Sequence, residues 1–170
     1  MATKPQLRQI FLERRRSLDA EQRRRAGAAL VDALLSRVLA ADRVAAFRPL
    51  PDEPPVAALL AARPDVLLPV LLPDGDLDWT AGGDRLGCEA VASCDLVLVP
   101  ALAVDRTGAR LGRGGGSYDR ALARVHGVTV AVLYDGEYVD SLPSEPHDVP
   151  VLAVATPTYG FALVCGPLGQ

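Results

Sequence analysis

Short apolar runs alternate with helical stretches along most of the chain, and this alternation constrains the fold more than any other feature. The runs span residues 43–47, 66–72, 77–81, 95–100, 128–134 and 151–156. Most of them read as buried strands, because they are short, nearly continuous in apolar residues and bounded by turn-forming residues. Helical stretches fit between several runs, at 54–63 and 117–125. The alternation predicts an α/β fold with a mostly parallel sheet covered by helices.

Two helices are predicted ahead of the first strand. Residues 4–16 read as a short polar helix, and a second helix begins after Asp19, because Gln22 completes a capping-box pattern with it. Apolar residues then recur at every fourth position and give the second helix one stripe to pack on the sheet. They are Ala26, Leu30, Leu34 and Val38. Further along, Asp74-Gly75 predicts a hairpin, which makes the two strands beside it antiparallel.

The composition fits one globular domain over residues 1–170. Hydrophobic residues make up 49% of the chain, which is enough to bury a core without a disulfide or a structural metal. The three cysteines, Cys88, Cys94 and Cys165, are odd in number and lack C-x-x-C spacing, which favours a reducing, cytoplasmic compartment. No apolar segment has the length of a signal peptide or a membrane span, so we expect neither secretion nor a membrane partner.

Positive charge is concentrated near the N-terminus. Eleven basic and five acidic residues lie between Lys4 and Arg48, although the whole chain has a net charge of -3. Such a segment attracts polyanions, which include ATP, a folate with its glutamate tail and nucleic acid. Charge alone does not choose among them. We expect the arginine runs 14–16 and 23–25 to form a solvated face.

A glycine-rich loop is the most informative stretch for function. A buried strand at 95–100 leads towards four glycines between residues 112 and 116, and a helix begins at Ser117. Backbone amides of glycines can approach phosphate oxygens closely, and Arg110 and Arg113 add positive charge beside them. The loop therefore predicts a phosphate site. A tight connection that needs glycine only for its backbone geometry explains the same residues.

Two other phosphate motifs fit this loop less well. A Walker A loop requires Lys-Ser/Thr after its last glycine, whereas Gly116 is followed by Ser117 without a lysine. A dinucleotide fingerprint places its glycines directly after the strand, whereas about a dozen residues separate Val99 from Gly112. Asp135 ends the next strand about twenty residues later, where a ribose-binding acid would lie. The dinucleotide motif therefore stays open as an alternative.

One long motif gives the chain a family resemblance. The string VPALAVDRTGARLGRGGGSYDR at 99–120 resembles the signature of 5-formyltetrahydrofolate cyclo-ligases, and the similarity continues through 133–157, 67–79 and 47–60. Lys4 and Arg8 match the N-terminal Lys-x-x-x-Arg of that family. The resemblance covers nearly the whole chain. It implies a three-layer α/β fold similar to the sugar-phosphate isomerase/CoA-transferase architecture. Three departures are Val104, where the family often has Phe, Ser117, where it often has an aromatic residue, and a shorter stretch at 80–94.

The resemblance implies roles for particular residues. The implied ATP site comprises Lys4, Arg8, Arg110, Leu111, Gly112, Arg113, Gly114, Gly115, Gly116, Ser117 and Tyr118. The implied folate site comprises Glu53, Arg113, Gly114, Gly115, Gly116 and Ser117. The implied catalytic residues are Arg110, Tyr118 and Asp119. The implied magnesium ligands are Asp119 and Asp148, which suits a cation that prefers oxygen ligands. Without the resemblance, these charged residues fit an ordinary surface, a helix first turn and a loop turn.

Two further aromatic residues were open to more than one role. Trp79 can stack on a pterin ring, although a lone tryptophan in a short strand is more often part of the core. His147 lies beside Asp148, where it can act as a base, but a surface role suits it better.

The resemblance implies that the chain uses ATP and Mg²⁺ to close 5-formyltetrahydrofolate, with or without a polyglutamate tail, into 5,10-methenyltetrahydrofolate. ADP and phosphate are released. Neither nucleic acid nor an obligate protein partner is then expected. A relative that binds nucleotide or RNA and has lost folate turnover is the alternative, and only the basic N-terminal segment favours it. Joint retention of Lys4, Glu53, Arg110, Asp119 and Asp148 argues against such a loss.

Overall fold

The computed structural model describes residues 1–164, which form four α-helices, one 3-10 helix and eleven short strands. The helices are α1 (Lys4–Arg16), α2 (Ala20–Ala40), α3 (Ala57–Ala62), the 3-10 helix Cys88–Ser93 and α4 (Ser117–Leu122). The strands are β1 (Val44–Ala45), β2 (Leu68–Leu71), β3 (Leu77–Ala81), β4 (Asp84–Arg85), β5 (Leu96–Pro100), β6 (Ala103–Asp105), β7 (Arg110–Leu111), β8 (Val128–Val132), β9 (Tyr138–Val139), β10 (Ala153–Thr156) and β11 (Gly160–Leu163).

A five-stranded sheet in the order β1-β5-β8-β10-β11 forms the centre of the fold. The first four strands are parallel, and β11 pairs antiparallel with β10 at one edge. Both β5 and β10 flank β8, with Leu98 opposite Val130 and Val130 opposite Ala153. The predicted mixed α/β fold with a mostly parallel sheet is therefore confirmed.

Side-chain alternation along the parallel strands divides the core between two faces of this sheet. Leu96 and Leu98 of β5 pack in one apolar cluster with buried residues of α2 and α3. Val97 and Val99 belong to a second cluster, which contains residues of β3, the 3-10 helix and α4. Successive residues of a strand point to opposite faces of the sheet, so residues that are adjacent along β5 belong to different clusters. Both faces of the central sheet are thus covered.

Capping explains where the first two helices begin. Asp19 and Gln22 form the predicted capping box at the start of α2. Thr3 and Gln6 form a second capping box at the start of α1, which was not predicted. The apolar stripe of α2 is also confirmed, with one correction at its first position. Gly27 is buried, whereas Ala26 is only half-buried. The helix approaches Pro55 closely at Gly27, where a Cβ would lie 2.6 Å from Cγ of Pro55. No helix within residues 1–164 is long and apolar enough to cross a membrane.

A separate antiparallel sheet of β2, β3 and β4 lies beside the central one. Gly75 has a φ of 86° in the turn between β2 and β3, so the predicted hairpin is confirmed. The prediction of one buried strand over 66–72 is wrong. Val66 and Leu67 are buried, and Leu67 bridges to β1, but β2 itself is half-buried and pairs only within the hairpin. The apolar run passes from the sheet edge into the hairpin.

A third small sheet has the strand order β7-β6-β9. It changes the predicted connection between the strand at 95–100 and the glycine loop. The strand at 95–100, now β5, does not lead directly into that loop, because the β6–β7 hairpin intervenes and β7 precedes the glycines. Asp105 organises the hairpin by accepting hydrogen bonds from the backbone of Thr107, Ala109 and Leu142. These strands have two or three residues each, too few for periodicity to reveal them. Helix α1 packs on this sheet through Phe11.

Candidate functional site

One cavity of about 650 Å³ collects every residue to which the family resemblance assigned a role. Its walls come from one face of α1, the segment after β1, part of β2, the connection between β5 and β6, the loop between β7 and α4 with the start of α4, and the segment before β10. The residues with assigned roles are Lys4, Arg8, Glu53, Arg110, Leu111, Gly112, Arg113, Gly114, Gly115, Gly116, Ser117, Tyr118, Asp119 and Asp148. Distant parts of the chain are thus brought together around one cavity.

Helix α1 contributes basic side chains to the cavity from a single face. Lys4, Arg8 and Arg15 all line the cavity, and their spacing of four and seven residues places them on one side of an α-helix. The Arg8 Nε donates a hydrogen bond of 2.8 Å to the carbonyl oxygen of Gly112. This bond fixes the arginine against the glycine loop while the rest of its guanidinium stays available.

Lys4 forms ion pairs with two carboxylates of the cavity. Its Nζ lies 2.7 Å from Oδ2 of Asp148 and 3.3 Å from Oε2 of Glu145. Burial alone would lower the pKa of the Lys4 ammonium, but the two carboxylates reverse the effect and raise it. For Asp148, burial would raise the pKa of the carboxyl, whereas the Lys4 ammonium and the Glu145 N–H hold it below its ordinary value. Both partners are therefore charged near neutral pH.

The two predicted metal ligands each keep one oxygen available. Asp119 Oδ1 accepts a hydrogen bond of 3.2 Å from the backbone N–H of Val149, which places this carboxylate beside the segment that carries Asp148. Asp148 Oδ2 is used by Lys4 and by the Glu145 N–H. Among residues 1–164, neither Asp119 Oδ2 nor Asp148 Oδ1 receives a hydrogen bond, although Nε2 of His147 lies 3.6 Å from Asp148 Oδ1. Two such oxygens on a cavity wall suit a hard divalent cation that also takes phosphate and water.

The glycine loop turns sharply between β7 and α4. Gly114 has a φ of 109° and Gly116 a φ of 71°, which lie in the region that favours glycine over residues with a side chain. Gly116 is the N-cap residue of α4, and it has no side chain to cover the first N–H groups of that helix. A Cβ at Gly114 would also lie 3.4 Å from Cζ of Arg8. The loop therefore needs glycine for its turn, while the contact with Arg8 would tolerate a Cβ.

Arg110 and Tyr118 present enclosed polar atoms that have no partner within the described part of the chain. The Nη1 of Arg110 donates to the carbonyl of Pro100 at 3.0 Å, but its Nε is buried without a hydrogen bond. The Tyr118 hydroxyl is enclosed and unpartnered as well, and the guanidinium lies 5.5 Å from the ring centre. Burial lowers the pKa of Arg110 and raises the pKa of Tyr118. A half-buried cation that has no carboxylate hydrogen-bonded to it among the described residues, together with an unused hydroxyl, suits an anionic ligand.

The segment after β1 holds a carboxylate beside Arg113 of the glycine loop. Glu53 is buried, its Oε2 accepts a hydrogen bond of 2.8 Å from the Leu50 N–H, and its Oε1 lies 3.5 Å from Arg113. Arg113 is held more closely by Asp52, through contacts of 2.7 and 2.9 Å from its Nη2. Tyr134 Oη supports the same segment by donating to the carbonyl of Glu53 at 3.4 Å. Glu53 thus presents a fixed negative charge inside the cavity.

Arg15 is the main cavity residue that the sequence analysis missed. The run 14–16 was expected to be solvated, but Arg15 is buried and pairs with Glu137 at 2.7 and 2.8 Å. Its Nη2 also donates to the carbonyl of Ala101. Arg14 and Arg16 are exposed as predicted. The helical spacing from Lys4 and Arg8 to Arg15 is the signal that distinguishes it within the run.

Other candidates lie outside the cavity or at its edge. Trp79 is fully buried in the core, so it is not available to stack on a ligand. His147 lines the cavity with an exposed side chain, 3.2 Å from Glu145, which agrees with a surface role. Asp135, the acid of the dinucleotide alternative, is not a cavity residue and instead accepts hydrogen bonds from Thr158. Residues 80–94 contribute nothing to the cavity wall. Cys165 lies outside the described residues.

Comparison with known proteins identifies the family. The profile of the 5-formyltetrahydrofolate cyclo-ligase family matches residues 1–157. A 5-formyltetrahydrofolate cyclo-ligase of Mycolicibacterium smegmatis is 38% identical over an alignment of 188 positions. The alignment covers 94% of this chain and 96% of that protein. A solved 5,10-methenyltetrahydrofolate synthetase from Aquifex aeolicus superposes with a TM-score of 0.81 at 26% identity and covers 98% of this chain and 95% of the other.

A second solved structure supports the fold alone. The 5,10-methenyltetrahydrofolate synthetase of Mycoplasma pneumoniae superposes with a TM-score of 0.78 at 18% identity, over 90% of this chain and 98% of the other. The profile match spans most of the sequence, and the Mycolicibacterium relative aligns nearly from end to end. On these grounds the chain belongs to the 5-formyltetrahydrofolate cyclo-ligase family.

Proposed function

We propose that this protein is a 5-formyltetrahydrofolate cyclo-ligase that consumes ATP, requires Mg²⁺ and releases ADP and phosphate. The observation that carries the proposal is the single cavity. Its wall combines a basic face of α1 and a glycine loop with a buried carboxylate, Glu53, which lies 3.5 Å from Arg113 of that loop. A nucleotide and a folate need such opposite features in adjoining positions.

The part of the cavity formed by Lys4, Arg8 and the glycine loop would bind the triphosphate of ATP. Lys4 and Arg8 would bind phosphate oxygens from α1, and the glycine loop would approach them with its backbone N–H groups. The enclosed Nε of Arg110 and the hydroxyl of Tyr118 would then gain the partners that they lack among residues 1–164. Asp119 and Asp148 would hold Mg²⁺ through their available oxygens. When bound, this ion would neutralise charge on the phosphate oxygens.

The folate end of the cavity is the segment after β1. The Glu53 carboxylate would accept hydrogen bonds from N–H groups of the pterin ring, since a buried acceptor needs donors to offset its desolvation. Phe47, Leu50 and Pro69 add apolar surface to the same side of the cavity. Arg113 and the loop to Ser117 would lie between the two substrates.

The reaction that this arrangement supports has two steps. In the first, the formyl oxygen attacks the γ-phosphorus of ATP, the bond to the β,γ-bridging oxygen breaks, and ADP leaves with that electron pair. In the second, N10 of the folate attacks the activated formyl carbon, the carbon–oxygen bond to phosphate breaks, and N10 loses its proton to solvent. The cavity contributes positioning and positive charge to both steps, with no covalent bond to the protein.

The fold and the partners follow from the same proposal. We assign the three-layer fold to the sugar-phosphate isomerase/CoA-transferase-like architecture, with one domain and a cytoplasmic location. Polyglutamylated folate and the monoglutamate are both candidate substrates. The RNA-binding alternative is less favoured, because Arg15 and Arg23 of the basic segment donate to Glu137 and to backbone carbonyls instead of forming a free surface.

Purified protein incubated with 5-formyltetrahydrofolate, ATP and Mg²⁺ tests the proposal. We expect the absorbance of the methenyl product to rise only when all three are present. Product formation without ATP, or no product under any of these conditions, would contradict it.

A further inference from the structure

The ion pair between Lys4 and Asp148 affects which ligands the cavity can bind. Asp148 is one of the two carboxylates with an oxygen available for a divalent cation, and a lysine ammonium already lies 2.7 Å from its other oxygen. Both side chains are largely shielded from solvent, at 17% and 12% exposure. Like charges at such short range repel strongly when water does not screen them. A free metal ion at Asp148 would therefore meet an adjacent positive charge.

Nothing in the local structure requires a lysine at this position. The start of α1 is fixed by the Thr3–Gln6 capping box, which does not involve the Lys4 side chain. A cation in the first turn is mildly unfavourable for the helix dipole. Asp148 has a second anchor in the Glu145 N–H, at 2.8 Å from Oδ2, so its carboxylate keeps its place without the lysine. The ammonium therefore changes the charge of the site more than its shape.

We propose that Lys4 makes the cavity selective for metal-bound nucleotide over the free metal ion. In the nucleotide-free protein the Lys4 ammonium is the counter-ion of Asp148 and Glu145. When a metal–nucleotide complex enters, its phosphates supply negative charge for Lys4, and the carboxylates then face the metal. The inference rests on the proposed function, because it takes Asp148 as a metal ligand and the cavity as a nucleotide site.

The proposal predicts opposite effects of one substitution on two ligands. Lys4→Met should bind MgATP about tenfold or more weakly, because it loses a charged contact to phosphate. The same variant should bind free Mn²⁺ about tenfold or more tightly, because the repelling charge is gone and two carboxylates are uncovered. Lys4→Arg keeps the charge and should resemble the parent for Mn²⁺. A merely structural role for Lys4 would not strengthen any ligand.

Two titrations test the proposal on the intact protein. Free Mn²⁺ is followed by its electron paramagnetic resonance signal without nucleotide, and MgATP binding is followed by calorimetry. Arg16→Met removes one positive charge from the exposed end of α1 and should change neither. Adding Asp148→Asn to Lys4→Met should abolish the gained Mn²⁺ affinity. Unchanged, weaker or unmeasurable Mn²⁺ binding by Lys4→Met would overturn the inference, whereas absence of methenyl product from the parent protein would overturn the proposed function instead.

Discussion

At the scale of single residues, the carboxylates of the cavity differ in their partners, and this difference separates their roles. Glu53 is buried beside Arg113 and holds the Leu50 N–H, so its charge is fixed on one wall. Asp119 and Asp148 lie on another wall, where each keeps one oxygen without a hydrogen bond among residues 1–164. Substitutions at the two walls should therefore affect different ligands.

Replacement of Glu53 should weaken folate use far more than ATP binding. Glu53→Ala removes the acceptor, and Glu53→Gln keeps an oxygen for the Leu50 N–H while removing the charge. We expect KM for 5-formyltetrahydrofolate to rise about tenfold or more in Glu53→Ala, since hydrogen bonds to a charged group are among the strong ones. ATP affinity should change little. Equal losses for both ligands, measured by steady-state kinetics and calorimetry, would mean that the folate role is misassigned.

The proposed metal role of Asp119 and Asp148 predicts a changed magnesium requirement. Substitution of either by Asn keeps the shape but removes one negative charge, so the Mg²⁺ concentration for half-maximal rate should rise at least about tenfold. Asp140 is 95% exposed and lies outside the cavity, which makes Asp140→Asn the matched control. The assignment fails if both cavity variants keep the magnesium dependence of the parent.

At the scale of secondary-structure elements, two buried or half-buried ion pairs hold the cavity walls in place. Arg15 fastens α1, which carries Lys4 and Arg8, to Glu137 and to the carbonyl of Ala101. Arg124, just after α4, reaches the β2–β3 hairpin through two contacts of 2.7 Å with Asp76. The first pair positions the helix with the basic face, and the second positions the helix that follows the glycine loop.

Loss of Arg15 should destabilise the fold, unlike loss of its neighbour. Arg15→Met leaves the Glu137 carboxylate buried without its partner, which costs about 3–5 kcal/mol of unfolding free energy. Arg16→Met at an exposed position should change that free energy by no more than about 0.5 kcal/mol. Urea unfolding of the two variants measures the contrast. Similar stabilities would show that the buried pair contributes little to folding.

The Asp76–Arg124 pair predicts an acid-sensitive contact between α4 and the hairpin. Hydrogen bonds from Arg124 lower the pKa of the Asp76 carboxyl from 3.8 to about 2. Because the pKa is lower in the folded protein, the pair stabilises the fold above about pH 4, and this contribution is lost as the pH falls towards 2. Asp76→Asn should therefore lose less stability than the parent between pH 5 and pH 2.5, whereas Asp140→Asn should follow the parent. Parallel pH profiles for the parent and Asp76→Asn would contradict this.

At the scale of the whole molecule, the parallel sheet was predictable and the smaller sheets were not. Strands β5 and β8 are continuous apolar runs because both of their faces are buried, and that composition is visible in the sequence. By contrast, β6 and β7 are too short to show a period. The apolar run at 66–72 divides between the sheet edge and a hairpin, a division that depends on tertiary contacts.

The candidate site shows the same limit. The glycine loop and the charged residues of the motifs were recognisable, because their spacing is local or matches a known family. Arg15 looked like one member of a basic run, since its partner Glu137 is 122 residues away. The contact between Lys4 and Asp148 spans 144 residues and likewise has no local signal. Long-range pairs of this kind become visible only when the fold brings the segments together.

Measuring whether ATP consumption is coupled to ring closure tests the central claim most directly. In a reaction with purified protein, 5-formyltetrahydrofolate, ATP and Mg²⁺, ADP release and methenyl absorbance can be followed together. The account predicts that ADP appears only when the formyl-folate is present and that ADP and methenyl product form in equal amounts. ATP hydrolysis that proceeds at the same rate without the folate would contradict the account.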